Sequence, residues 1–243
     1  MFRKRRFQSP AIFGKVASAP SYQGPGDTIS SAAAWGSSAR AYSAAYATGL
    51  GAVLDLVDQA GANAITINCL STGLINVAAI SAWVAAHSVS TIRVTKVYDQ
   101  TGNARHWSQA TLASMPALTL STLNGLPGMT FVNASSHQLN SASYSTSNTA
   151  TWVGVAERTG STGLLSGILG ANSGGTSVTL GFNSTANTAY FAAGAGVTAT
   201  AADNSFHSVQ GLSGSGAGIV VDGVFTSGAN NTATSNGTRI GRS

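Results

Sequence analysis

The chain has 243 residues, of which 43% are hydrophobic and only 8% charged, against about a quarter charged in an average soluble domain. That balance excludes a disordered chain, which combines high charge with low hydrophobicity, and a coiled coil, which needs charged flanking positions; with Cys69 as the lone cysteine it also excludes a disulfide scaffold. The net charge of +5 resides in Arg3, Lys4, Arg5, Arg6 and Lys15, and the other seven basic residues balance the seven acids; a basic arm precedes a neutral body, so nucleic acid is expected nowhere but at the arm.

Residues 1–26, with Pro10, Pro20 and Pro25, read as an extended arm and linker. Ala17-Ser18-Ala19 has the form of a cleavage site, but Gln8, Ser9, Pro10, Gly14 and Lys15 break any apolar run before it, so no secretion signal is expected. A short helix is predicted over Ala39–Thr48, with Tyr42 and Tyr46 on one face and Gly49 and Gly51 as its stop. Strands Ala52–Asp58 and Ala64–Cys69 flank a Gly61-Ala62-Asn63 turn and form a hairpin. A second helix follows over Ile75–Ala86, with Ile75, Ala78, Ala79 and Trp83 on its inner side. Its apolar stretch, Leu74–Ala86, is too short to cross a bilayer. Val89–Tyr98 alternates and is rich in branched residues, so it reads as a strand that ends in turn chemistry at Asp99–Asn103.

From residue 108 the helical period is lost. Strands are predicted at Ala117–Thr122, Gly128–Phe131, Ala150–Ala156, Thr179–Phe182, Thr188–Ala193, Ser205–Leu212 and Gly218–Phe225, with a hairpin signal at Asp222-Gly223. Their even spacing argues for a mainly β fold, a jelly-roll sandwich with one or two short helices in its N-terminal half. Residues 27–243 are read as a single domain, helix-containing over 27–107 and built of sandwich strands over 108–243.

Two resemblances follow from particular residues. Tyr98-Asp99-Gln100-Thr101-Gly102-Asn103 resembles the strand-ending turn of the arabinofuranosidase B catalytic-domain family. Arg40-Ala41-Tyr42-Ser43, Gln109-Ala110-Thr111, Met115-Pro116 and Asn124-Gly125-Leu126-Pro127 through Phe131 fit the same pattern over about residues 37–140. Phe206-His207-Ser208-Val209, Val221-Asp222-Gly223 and Ile240-Gly241-Arg242 resemble successive strands of a laminin G-like, concanavalin A-like sandwich. In this reading Asp99, Gly102, Asn103, Asp222 and Gly223 are structural turn residues. Such sandwiches continue past the last of these strands, whereas Ser243 ends this sequence. A missing strand would leave an edge open to another chain.

The resemblance implies a hydrolase scaffold but not hydrolase chemistry. Glycoside hydrolysis canonically uses two carboxylates, about 5–5.5 Å apart for retention and about 6.5–9.5 Å for inversion. The acids are Asp27, Asp55, Asp58, Asp99, Glu157, Asp203 and Asp222; Asp55 and Asp58 stand three apart on a strand and face opposite ways. Where the resemblance implies a vicinal cysteine pair and an acidic segment, the chain has Gly163-Leu164-Leu165-Ser166-Gly167, and Ser177–Gly181 carries no glutamate. No catalytic residue is therefore carried over. His87, His106, His137 and His207 share no ligand spacing, so neither metal nor cofactor is expected. No Gly-x-Ser-x-Gly elbow marks a nucleophile.

The expectation is a non-enzymatic phage virion protein: a head decoration, fibre or tail component assembled in the host cytoplasm. Its arm, through Arg3, Lys4, Arg5, Arg6 and Lys15, would anchor to other virion proteins or to copies of itself, and no membrane is involved. The alternatives are a carbohydrate-binding module on a host-surface glycan and an active glycosidase. Trp107, Trp35 and Tyr144 are the candidate rings for stacking on sugar, with Trp152 and Tyr190 behind them.

Overall fold

The computed structural model describes residues 21–29, 31–142, 150–159, 166–171, 178–182, 187–193, 195–202, 204–213, 217–228 and 238–241. The arm through residue 20, Tyr144 and Asp203 lie outside them.

The chain opens with a 3-10 turn at Pro25–Asp27, whose Asp27 carboxylate accepts hydrogen bonds from Gly24 N and, at 2.9 Å, from Ala44 N. Helix α1 is only Ala44–Thr48, shorter than expected. Tyr42 N donates to the Gln100 side chain and Arg40 bridges Leu74, so 39–43 is held outside the helix; Ser43 then caps the helix by accepting from Tyr46 N. The Tyr42 ring therefore packs ahead of the helix and not on its face. Strands β1 (Ala52–Val57) and β2 (Ala64–Asn68) form the expected hairpin, with Gly61 at φ +73° in its turn. Helix α2 (Val77–His87) starts at the cap Asn76, and Ser88 closes it in the left-handed region. Its buried residues are Ile80 and Trp83; Ala78 is exposed, and Ile75 sits before the helix in a bridge to Cys69.

Strands β3 (Arg93–Val97), β4 (Trp107–Ser108), β5 (Ala117–Leu123), β6 (Leu126–Thr130) and β7 (Gln138–Ser141) follow. The second half supplies β8 (Thr151–Glu157), β9 (Ser166–Ala171), β10 (Val178–Phe182), β11 (Thr188–Ala193) and β12 (Ala195–Thr200). It ends with β13 (Phe206–Leu212), β14 (Gly218–Val221), β15 (Val224–Ser227) and β16 (Thr238–Gly241). The expected strand Gly218–Phe225 is in fact the hairpin β14–β15. Asp222 at φ +48° and Gly223 at φ +85° form its tip, as a type I′ turn requires.

All strand pairs among the described residues are antiparallel. The large sheet runs β12-β11-β10-β9-β16-β7-β4-β3-β1-β2, with β5 and β6 branching from β3; the small sheet runs β15-β14-β13-β8. The fold is a mainly β, concanavalin A-like sandwich, with two short α-helices among the described residues. Alternation within strands sorts the two faces. Leu139, Ile240, Leu169, Leu180, Phe191 and Val197 stand opposite one another on six neighbouring strands and make the inward row of the large sheet. Trp152, Val209, Ile219 and Val221 face them from the small sheet. A second core under α2 gathers Val53, Leu54, Leu56, Ile67, Ile80, Trp83, Val94 and Val97.

Two glycines set how closely the sheets approach. A Cβ on Gly211 would lie 2.2 Å from the buried Phe191 ring, and one on Gly154 would lie 2.6 Å from Ile168. Only hydrogen fits at these positions, and the gap is filled by side chains from the opposite sheet. No described helix is long and apolar enough to cross a membrane.

Candidate functional site

The turn after β3 is a hub. Asp99 is buried, and its Oδ1 accepts from Trp35 N (3.0 Å), Thr101 N (3.1 Å) and Thr101 Oγ1 (2.8 Å), while Oδ2 accepts from Arg105 N at 3.0 Å. Asp99 N itself donates to His106 Nδ1. Gln100, also buried, accepts from Tyr42 N at 2.7 Å. Asn103 Nδ2 and the Arg105 guanidinium both donate to Ala33 O at 3.0 Å. Gly102 takes φ +89° to close the turn. The motif thus ties segment 32–42 across the end of the sheet. Its carboxylate is surrounded by donors, with nothing positioned for proton transfer.

The other described aspartates are similarly engaged. Asp58 accepts from Ala60 N, Ala62 N and Asn63 Nδ2. The Ala62 N–H above all, then Asn63 and Ala60, hold its carboxyl below the usual value against the opposing effect of burial. Asp55 accepts from Thr66 Oγ1 (2.7 Å) and from the Tyr98 hydroxyl, and pairs with Lys96 Nζ at 3.2 Å. That contact with Asp55 raises the Lys96 ammonium above its ordinary value. Asp27 caps the entry to α1, as described above. Glu157 ends β8 opposite Phe206. Among the described residues no three His, Cys, Asp or Glu side chains cluster to hold a metal.

Among the described residues His207 and Asp222 form a His–Asp ion pair. Nδ1 lies 2.6 Å from Asp222 Oδ2 and Nε2 lies 2.8 Å from Ala202 O. Both ring nitrogens face acceptors, which only the imidazolium satisfies with two N–H donors. Burial pulls this imidazole down, but the hydrogen bonds to Asp222 and Ala202 outweigh it, and the net shift is upward. The same bond from His207, then Ser208 N, holds Asp222 low. With no lone pair turned outward, His207 cannot act as the base of a catalytic triad.

The aromatic candidates separate. Trp107 is 4% exposed. A Cβ on Gly36 would lie 2.7 Å from its ring, so the segment pinned by Asp99 closes over it. The stacking role read for Trp107 from its sequence position is therefore corrected: no ring face is left for a sugar. Trp152 is in the sandwich core. Trp35 and Tyr190 are half-buried, Trp35 with its ring 5.8 Å from that of Tyr42. Tyr144 and the basic arm residues Arg3, Lys4, Arg5, Arg6 and Lys15 lie outside the described residues.

The sequence raises an open edge without placing it: the last strand, β16, lies between β9 and β7, and the open side of the sandwich is elsewhere. There the edge strands β12 and β15 of the two sheets lie side by side, and each has one strand partner among the described residues. Between them a recess of about 300 Å³ is lined by Ala199, Thr200, Val221, Asp222, Val224 and Thr226. Val224 is 69% exposed and Phe225, on the outer face of the same strand, 53%. The Phe225 ring lies on the backbone at Gly218, where a Cβ would be 2.4 Å away. The row continues across the small sheet in register, Phe225–Val220–Gln210–Val153, exposed at Phe225 and Val153, half-buried and interrupted by a polar side chain between them, with exposed Val155 beside it. The alternation in Trp152-Val153-Gly154-Val155 would have signalled the outer valines. No local signal pointed to β12, whose Ala195–Thr200 is small and unpatterned.

Neither a family model nor a curated protein matches the sequence. Solved structures do match in fold. A GH54 α-L-arabinofuranosidase soaked with a cyclic sulfate inhibitor superposes with a TM-score of 0.64 at 15% identity, over 91% of this chain and 58% of its own. A glutamate-to-glutamine variant of a GH54 α-L-arabinofuranosidase, soaked with a nitrophenyl arabinofuranoside, gives 0.60 at 15% identity. An arabinofuranosidase complexed with an arabinofuranosyl xylobiose gives 0.52 at 14% identity, over 86% of this chain. The chain thus spans a little over half the length of these enzymes. At this identity the likeness is one of fold, and it agrees with the scaffold that the Tyr98–Asn103 turn implied.

Proposed function

We propose that the chain is a non-enzymatic structural component of a phage virion, a head-decoration, fibre or tail protein. In this reading the basic arm anchors it to neighbouring virion proteins or copies of itself, and the sandwich projects outward. Assembly takes place in the host cytoplasm. The observation that carries the non-enzymatic part is the fate of five of the seven acids: Asp27, Asp55, Asp58, Asp99 and Asp222 are each occupied by groups that hold the fold, while Glu157 ends β8 and Asp203 lies outside the described residues. A canonical glycosidase instead needs two carboxyl groups poised across one bond. The assembly part is supported by the uncovered apolar edge, since contiguous exposed apolar surface marks sites of association.

The test is sedimentation of the protein from its native source, with mass spectrometry of the fractions. Co-sedimentation with phage-sized particles in high salt is expected; a free 24.3 kDa species would overturn the reading. No hydrolysis of 4-nitrophenyl α-L-arabinofuranoside, the ligand of one solved relative, is expected above the uncatalysed rate. Glycan binding is the second reading. It is favoured by the half-buried rings Trp35 and Tyr190 and by the sugar ligands of the solved relatives. A glycan screen with Trp35→Ala and Tyr190→Ala variants separates it from the first.

A further inference from the structure

The open side between β12 and β15 combines three features. Both edge strands offer backbone groups with no strand partner on that side among the described residues. The recess between them has an apolar floor and rim from Ala199, Val221 and Val224, with the Thr200 and Thr226 hydroxyls beside it. Its one charged lining group is Asp222, whose side chain stays 51% exposed after pairing with His207. Such a site suits an extended segment that is apolar in the middle and cationic nearby. It does not suit an anion or a nucleic acid, because the lining offers no cation beyond a histidine already paired.

The chain carries one segment of that chemistry. Residues 1–20 combine Phe7, Ile12, Phe13 and Val16 with Arg3, Lys4, Arg5, Arg6 and Lys15 and contain no acid. Twenty residues span up to roughly 66 Å when extended, enough to reach from one subunit onto the next. We propose that the recess between β12 and β15 receives the N-terminal arm of a second copy of this chain. The arm adds a strand to the β15 edge, seats Phe13 against Val224 and Val221 with Ile12 turned to the outer face, and brings Lys15, on the same face as Phe13, to Asp222. This deepens the anchoring role given to the arm above and rests on that reading. Main-chain pairing supplies the affinity and the alternate side chains the register, as in other strand-addition complexes. Arm and recess are different surfaces, so two copies that exchange arms close into a dimer, and one-way donation closes into a ring or runs on as a filament.

The experiment uses the full chain throughout. Phe13→Cys and Val224→Cys variants with different tags are mixed and oxidised; Cys69 is buried and does not compete. Disulfide-linked dimers carrying both tags are expected. In sedimentation velocity the parent chain should be oligomeric, and Val224→Lys and Phe13→Ser should each weaken association at least tenfold. Neither position contributes to a described core, so unchanged circular dichroism and melting are expected with it. A monomeric parent chain, or a link formed only within a Phe13→Cys/Val224→Cys double variant, would overturn the inference. Particle co-sedimentation separates the two readings. Association with virions and no mixed cross-link leaves the virion reading standing and removes this one. A mixed cross-link in a chain that never meets particles does the reverse.

Discussion

Two aspartate turns, one in each half of the chain and both prominent in the sequence, behave differently. Asp99 is nearly enclosed and is answered mainly by backbone N–H groups of 35, 101 and 105. Asp222 sits on an exposed hairpin tip and is answered by a histidine and by Ser208. The first ties a distant segment down over Trp107. The second fixes only its own hairpin and the loop at Ala202, through a histidine whose charged form these hydrogen bonds favour. The same side chain is therefore a lock in one place and a pH-dependent latch in the other, and burial together with the kind of donor makes the difference.

The largest effect is expected at the lock. Asp99→Ala strands three partly buried N–H groups at once and should cost about 3 kcal/mol, measured by urea unfolding. Asp99→Asn, which keeps an acceptor oxygen, should cost less. Next comes packing, which neither turn touches: Gly211→Val forces the Phe191 ring aside and should cost about 1–3 kcal/mol. Equal stability of that variant and the parent would show that the sheets yield more than this spacing implies.

The latch is weaker, and it is revealed by pH. His207 is raised from its ordinary 6.5, so its contribution is full below that value and is lost as pH climbs through the raised one. Asp222 is lowered from 3.8, so its share is present above that value and is lost as pH falls through the lowered one. The pair therefore contributes fully between pH 3.8 and 6.5. Melting temperature followed from pH 5 to pH 9 should fall more steeply for the parent chain than for Asp222→Asn, and parallel curves would remove the latch. Asp58 supplies a control: its lowered carboxyl contributes above pH 3.8, and that contribution is lost only on acidification. The smallest effect is expected at Val155, exposed on the outer face: Val155→Thr should change stability by no more than about 0.5 kcal/mol.

Much of the architecture was legible in the chain, because alternation, turn glycines and caps are local. The hairpin β1–β2, the tip at Asp222-Gly223, most strands of the second half and the role of Asp99 as an acceptor of turn N–H groups were all read from neighbouring residues. Helix α1 was drawn too long because its start is decided by the bond from Tyr42 N to Gln100, 58 positions away. Trp107 was offered as a surface ring because nothing beside it in sequence shows that Gly36 will lie against it.

By itself, then, the sequence determined a neutral, weakly charged β-sandwich behind a cationic arm, since composition, period and turn chemistry act over a few residues. Which acids were spent, which tryptophans were covered and which edge stayed open were decided only by tertiary structure. Those outcomes depend on which distant strands become neighbours, and short-range patterns such as Ala195–Thr200 do not encode that. The recess beside Asp222 exists only because β12 and β15 end up as neighbouring edges.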